Sequence, residues 1–133
     1  MALKKLVEYF EKITGKGRRK PKVPEKRQYV RFEYPARCRP TFNVREQALK
    51  VVNISERGLK LSNDKQADLG ALVHGDILFF NGKSMAITGE IVWARGAEIG
   101  MLTAPISESF IVEEIRSVLR KLGLSDPDLD KSS

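Results

Sequence analysis

The chain has 133 residues, 41% hydrophobic and 31% charged, which is room for one globular domain plus a short extension. Its formal charge of +7 is uneven: residues 1–31 hold eleven basic against three acidic residues, a net +8, and residues 32–133 hold thirteen against fourteen, a net −1. No apolar run approaches the ~18 residues of a membrane span, the first ten residues lack a signal-peptide pattern, and a single cysteine with a single histidine exclude an internal disulfide and argue against zinc, so a reducing, cytoplasmic setting is expected.

In chain order, Leu3, Leu6, Val7, Phe10 and Ile13 recur at helical spacing, with Lys4, Lys5, Glu8, Glu11 and Lys12 filling the other face. The spacing predicts a short amphipathic helix that stops near Gly15 and Gly17. A helix this short is marginal alone in water, so its apolar stripe needs a surface to pack on. Lys16 to Glu25 mixes Gly17, Pro21 and Pro24 with charges and reads as a linker; residues 1–25 are thus a basic N-terminal helix and linker. Such an arm suits an anionic partner (nucleic acid, nucleotide, lipid headgroup or acidic protein face) or is a solvated tail.

From Tyr34 the pattern turns to strands. Pro35 to Phe42, with Cys38 in its middle, Ala48 to Ile54, Leu59 to Ser62, Asp76 to Phe80, Met85 to Ala94 and Glu98 to Thr103 are the six predicted strands. Pro35 and Pro40 place the first at an edge or bulge. Asn81-Gly82 between two apolar runs signals a hairpin, and His74 is predicted in a turn before a strand. Six short strands in about seventy residues suggest a small closed barrel, which removes exposed edges. Ser107 or Ser109 caps a closing helix whose apolar face is Ile111, Ile115, Val118, Leu119 and Leu122, and Gly123 ends it. The expected fold is mainly β: a six-stranded antiparallel β-barrel over residues 26–123 with a C-terminal α-helix, the N-terminal amphipathic helix before it, and a disordered acidic tail over 124–133.

Catalytic signatures are missing. There is no phosphate-binding glycine loop, no nucleophile elbow and no implied carboxylate pair, and a lone turn histidine is a poor catalyst, so no enzyme is expected and neither catalytic nor metal residues are assigned. Two other motifs carry chemistry. In Lys26-Arg27-Gln28-Tyr29-Val30-Arg31, two arginines four apart stand between the basic linker and the barrel. Each guanidinium is a planar fork that pairs with phosphate or with guanine O6 and N7, and can stack on a base; alone, the pair also reads as solvated surface arginines. In Asn53-Ile54-Ser55-Glu56-Arg57-Gly58, an extended chain sends Ile54 to the core and Asn53 and Ser55 outward, while Gly58 permits a positive φ in the following turn. The alternative is a turn in which Asn53 and Ser55 bond their own backbone.

Taken in this order, RxxxR at Arg27 and Arg31 followed by NxSxxG at Asn53, Ser55 and Gly58 resembles the PilZ domain family. The resemblance continues through Gly58-Leu59-Lys60-Leu61, Gly89-Glu90-Ile91-Val92-Trp93, Ile99-Gly100-Met101 and the closing helix, over about residues 26–122. It implies a six-stranded barrel with a C-terminal helix and a receptor for cyclic di-GMP. It implies that Arg27 and Arg31 grip phosphates and guanines, that Asn53 and Ser55 meet a guanine and nearby polar atoms, and that Gly58 shapes the turn. Trp93 either stacks on a guanine, as in some members, or packs at a barrel end. Lys26 stands where some members carry a further arginine, a position that influences whether one ligand or a stacked pair binds; lysine cannot reproduce the arginine fork.

Expected partners are therefore cyclic di-GMP, with no other cofactor, and a protein met through the N-terminal helix or the barrel surface. A structural adaptor, whose helix docks on a protein or an anionic membrane, is a second class. Nucleic-acid binding is disfavoured, because residues 32–133 are nearly neutral and strand aromatics are few.

Overall fold

The computed structural model describes residues 3–14, 30–66 and 68–124. The predicted linker, the predicted acidic tail from residue 125 on, and Lys26 and Arg27 lie outside the described residues.

Among the described residues nine elements run in chain order: α1 (Leu3–Thr14), β1 (Phe32–Glu33), β2 (Thr41–Val44), β3 (Gln47–Ser55), β4 (Gly58–Ser62), β5 (Leu72–Leu78), β6 (Ser84–Arg95), β7 (Glu98–Thr103) and α2 (Glu108–Lys121). All pairings are antiparallel. Strands β3, β2, β5, β6, β7 and β4 follow one another, and β4 pairs back onto β3, which closes a six-stranded barrel. The outside strand β1 lies along β3, Phe32 opposite Ile54 and Glu33 opposite Asn53. Closure satisfies the strand edges with neighbours, as the count of short strands suggested.

The predicted helices form for the predicted reasons. Ser107 caps α2, accepting from the Phe110 amide at 3.1 Å, and Glu108 stands in the first turn. Gly123 ends it at φ +75°: its amide donates to Arg120 O and the Leu124 amide to Leu119 O, a Schellman arrangement that satisfies terminal carbonyls. Ile111, Ile115, Val118 and Leu119 are buried, and so are Leu3, Leu6, Val7 and Phe10 of α1, all in one continuous core with the barrel. The surface that α1 needs is thus this core. Phe10 meets Phe32 edge-on at 4.8 Å, and the Leu3 amide, an orphan donor of the helix start, reaches a Glu108 carboxylate oxygen at 2.8 Å. Ile13, at the C-terminal end of the stripe, is 38% exposed. No helix of the described residues is long and apolar enough to cross a membrane.

Four local expectations change. Residues 35–40 are not a strand: the two prolines have no N–H for a ladder, and the Cys38 amide turns back to Pro35 O at 2.9 Å, which leaves Cys38 buried in a bend. The paired segments around it are β1 and β2, so the described residues form seven strands, six in the barrel and β1 outside it. The strand predicted at Asp76–Phe80 runs over Leu72–Leu78 instead. His74 is therefore in mid-strand, exposed, with Nδ1 2.6 Å from Thr88 Oγ1. Its neighbour Gly75 marks close approach rather than a turn, since a Cβ there would overlap Asn43 O and the Phe42 ring. The turn itself is at Asn81-Gly82, as the dipeptide indicates, with Gly82 at φ +88°.

Candidate functional site

Simple alternation would misplace the polar residues of this site. In β3, Val51 faces Leu61 inside the barrel. Continued two by two, Asn53 and Ser55 would also point inward. A β-bulge between Val51 and Asn53 adds one residue, Val52, and resets the register so that Asn53 pairs with Lys60, Ile54 with Leu59 and Ser55 with Gly58. Ile54 is fully buried, and Asn53 and Ser55 take the outer side, as the motif predicts, though each is only 9% exposed. The same device recurs in β6. Ile91 pairs with Met101, a bulge absorbs Val92, and Trp93 pairs with Gly100 instead of turning into the core. Two bulges thus aim two side chains at the same outer surface.

The result is two adjacent outward rows. Asn53, Lys60, Gly100 and Trp93 are partners across β3, β4, β7 and β6; Ser55, Gly58, Leu102 and Glu90 are partners across the same four strands. Between them opens a solvent-facing cleft of about 270 Å³, lined by Arg31, Asn53, Ser55, Lys60 and Trp93 among others. Its chemistry is mixed: cations from Arg31, Arg57 and Lys60, an amide, a hydroxyl, and an indole flanked by Val92 and Leu102. Such a surface suits a ligand with flat rings, hydrogen-bonding edges and negative charge. Among the described residues no cluster of His, Cys, Asp or Glu could hold a metal ion.

Two glycines make room for this arrangement. Gly58 does not take a positive φ. It is needed because a Cβ would overlap the Met101 carbonyl, where β4 runs close against β7. Gly100 leaves space for the Trp93 indole, whose Nε1, Cε2 and Cζ2 occupy the position a side chain would take. Trp93 is neither loose nor buried: it lies on β7, 36% exposed, with the Arg95 guanidinium 5.7 Å from its ring centroid. Ser55 partly follows the turn alternative, since its Oγ accepts the Arg57 amide at 3.3 Å. The turn that joins β3 to β4 is fixed from outside as well: Arg57 O accepts the amide of Thr103 at the end of β7, and Glu56 O that of Ile106 just after it.

Of the residues singled out from sequence, Arg31, Asn53, Ser55, Gly58 and Trp93 line the one cleft; Lys26 and Arg27 lie outside the described residues. Lys60, Arg57 and Gly100 are additional lining residues. Lys60 was legible in principle, because Leu59-Lys60-Leu61 alternates and turns the lysine outward.

Three residues after Arg31, a buried polar cluster anchors the chain. Tyr34 and Glu114 are fully buried, and the Tyr34 hydroxyl donates to Glu114 Oε2 at 2.7 Å. The same carboxylate accepts the amides of Phe80 at 3.1 Å and Asn81 at 2.9 Å. One side chain of α2 therefore ties down the chain after β1 and the hairpin loop of β5 and β6. Burial pushes the Glu114 carboxyl above its ordinary range, opposed by the Tyr34 hydroxyl and the two amides. Burial, and then the nearby carboxylate, raise Tyr34.

A sequence model of the PilZ domain matches residues 25–120, a span from just before the arginine motif to the last turn of α2. No curated protein sequence matches the chain.

Proposed function

The chain belongs to the PilZ domain family, a known family of cyclic di-GMP-binding rather than catalytic domains, and on that premise we propose that it is a cytoplasmic, non-enzymatic receptor for cyclic di-GMP. The observation that carries the proposal is the convergence of Arg31, Asn53, Ser55, Gly58 and Trp93, from separate parts of the sequence, on one open cleft. In this reading Arg27 and Arg31 grip the phosphates and guanines, Asn53 reads a guanine edge, and Ser55 donates its remaining hydroxyl proton to a nearby polar atom. Trp93 offers a stacking face, Gly58 keeps β4 close against β7, and Lys26 influences whether one ligand or a stacked pair is held. The ligand carries two negative charges, and the +8 of residues 1–31 supplies positive potential on its approach.

The output would be a changed contact with a protein partner. Arg31 directly precedes Phe32, whose ring meets Phe10 of α1 edge-on at 4.8 Å. A ligand that orders residues 26–31 against the barrel acts on this contact, and so on how firmly the apolar stripe of α1 stays docked. The buried stripe supports this reading over permanent membrane attachment by the same face.

The test is isothermal titration of cyclic di-GMP into the intact protein and into Arg27→Ala, Arg31→Ala. Binding should weaken by at least about tenfold in the variant, given roughly 1–3 kcal/mol for each bidentate arginine contact. No heat from the intact protein would refute the receptor reading and leave the adaptor. Hydrogen exchange over residues 3–14 that is the same with and without ligand would refute the coupling to α1 alone.

A further inference from the structure

Lys60 stands at the centre of the cleft. Its Cα pairs with Asn53 on one side and with Gly100 on the other. Because Gly100 has no side chain and the Trp93 indole lies across it, the outward row reads amide, ammonium, indole. A base that stacks on Trp93 and offers its edge or its phosphate toward Asn53 crosses over Lys60.

The ammonium is already occupied. Lys60 Nζ is 3.0 Å from Glu98 Oε1, with the two side chains 27% and 45% exposed. Glu98 lies at the start of β7, paired across the sheet with Ser62 of β4 and Arg95 of β6. An ion pair this exposed is weak and exchanges readily. Arg95 is the cross-strand partner of Glu98 on β6, with its guanidinium over the Trp93 ring.

We propose that Lys60 is a further ligand contact of this cleft and that Glu98 holds it in reserve, lowering affinity for an anionic ligand. Lys60 exchanges the Glu98 carboxylate for a phosphate oxygen or a guanine acceptor as the ligand seats. Glu98 thus sets the concentration at which the site fills, and the proposal rests on the receptor reading above.

The experiment is titration of cyclic di-GMP into the full chain and into Lys60→Met, Glu98→Gln, the double variant and Glu90→Gln. Glu90 is an exposed carboxylate in the neighbouring row, partnered with Leu102, and controls for the general loss of a negative charge. Lys60→Met should weaken binding about fivefold or more, since a charge-assisted hydrogen bond is lost at a partly exposed site. Glu98→Gln should strengthen it about two- to fivefold, the range of an exposed ion pair. The gain should vanish in the double variant, because Glu98 acts through Lys60. Unchanged binding by Lys60→Met overturns the proposal. So does a Glu98→Gln gain that persists without Lys60 or is matched by Glu90→Gln, since it is then a field effect. Absence of binding by the unaltered protein refutes the receptor reading instead, and this proposal with it.

Discussion

Gly100→Ala tests the site geometry without altering any polar group. A Cβ at residue 100 would overlap Nε1, Cε2 and Cζ2 of Trp93, so the indole must rotate off β7. If that indole is the stacking platform, the variant loses most of one base stack, about 1–3 kcal/mol or roughly five- to 150-fold in affinity. Stability should change little. Alanine restricts the unfolded chain by about 0.4–1 kcal/mol relative to glycine, which offsets the packing the displaced indole gives up. A net change within about 1 kcal/mol moves the melting temperature by only several degrees in a domain of this size. Trp93 is the only tryptophan, so its fluorescence reports its own displacement: emission should shift to the red in the variant and respond less to cyclic di-GMP. Titration calorimetry gives the affinity in parallel, with Trp93→Ala as the reference for complete loss. A Gly100→Ala protein with unshifted emission would refute the packing argument. One with shifted emission and full affinity would refute the role of the indole in binding.

Glu114 should make stability depend on pH in a stated direction. Its folded-state pKa is raised above the ordinary value of 4.5, so the folded chain holds this proton more tightly than the unfolded chain. That contribution is complete below the ordinary value and is lost as pH rises through the raised one; wild type should lose stability relative to Glu114→Gln across that window. Urea midpoints that run parallel in the two proteins would refute it. Glu114→Ala should cost about 3 kcal/mol in the same assay, because it strands the buried Tyr34 hydroxyl and the amides of Phe80 and Asn81. Phe10→Ala should cost about 3–5 kcal/mol, as for any large buried aromatic, and a loss below about 1 kcal/mol would mean that α1 is not integral to the core.

Local periodicity and local chemistry are legible along the chain without its fold. Leu3, Leu6, Val7 and Phe10 mark one face of a helix wherever that helix packs, and Ser107 and Gly123 mark the ends of another through bonds within a few residues. Asn81-Gly82 states a turn for the same reason. The order of the two polar motifs was enough to name the family, although neither motif reveals that a cleft forms between them. The misreadings have a common cause. The sequence reads as a positive φ at Gly58 and a turn at His74, beside Gly75, whereas each of the two glycines stands where another strand's backbone or side chain lies too close for a Cβ. The apolar pattern around Cys38 reads as a strand, but the flanking prolines have no amides to donate to a neighbour.

The direction in which the site faces is set by contacts between strands. The bulges at Val52 and Val92 exist in the pairing of β3 with β4 and of β6 with β7, not in either strand alone, and they alone bring Asn53 and Trp93 onto the row that Lys60 and Gly100 complete. Burial of Glu114 is likewise a fact of three distant segments meeting. On an isolated helix it is one more polar residue; against Tyr34 and the hairpin loop it is the anchor of the chain that delivers Arg31. Periodicity reports the neighbours a residue has along its own strand or helix, and a binding site is made by the neighbours it has across them.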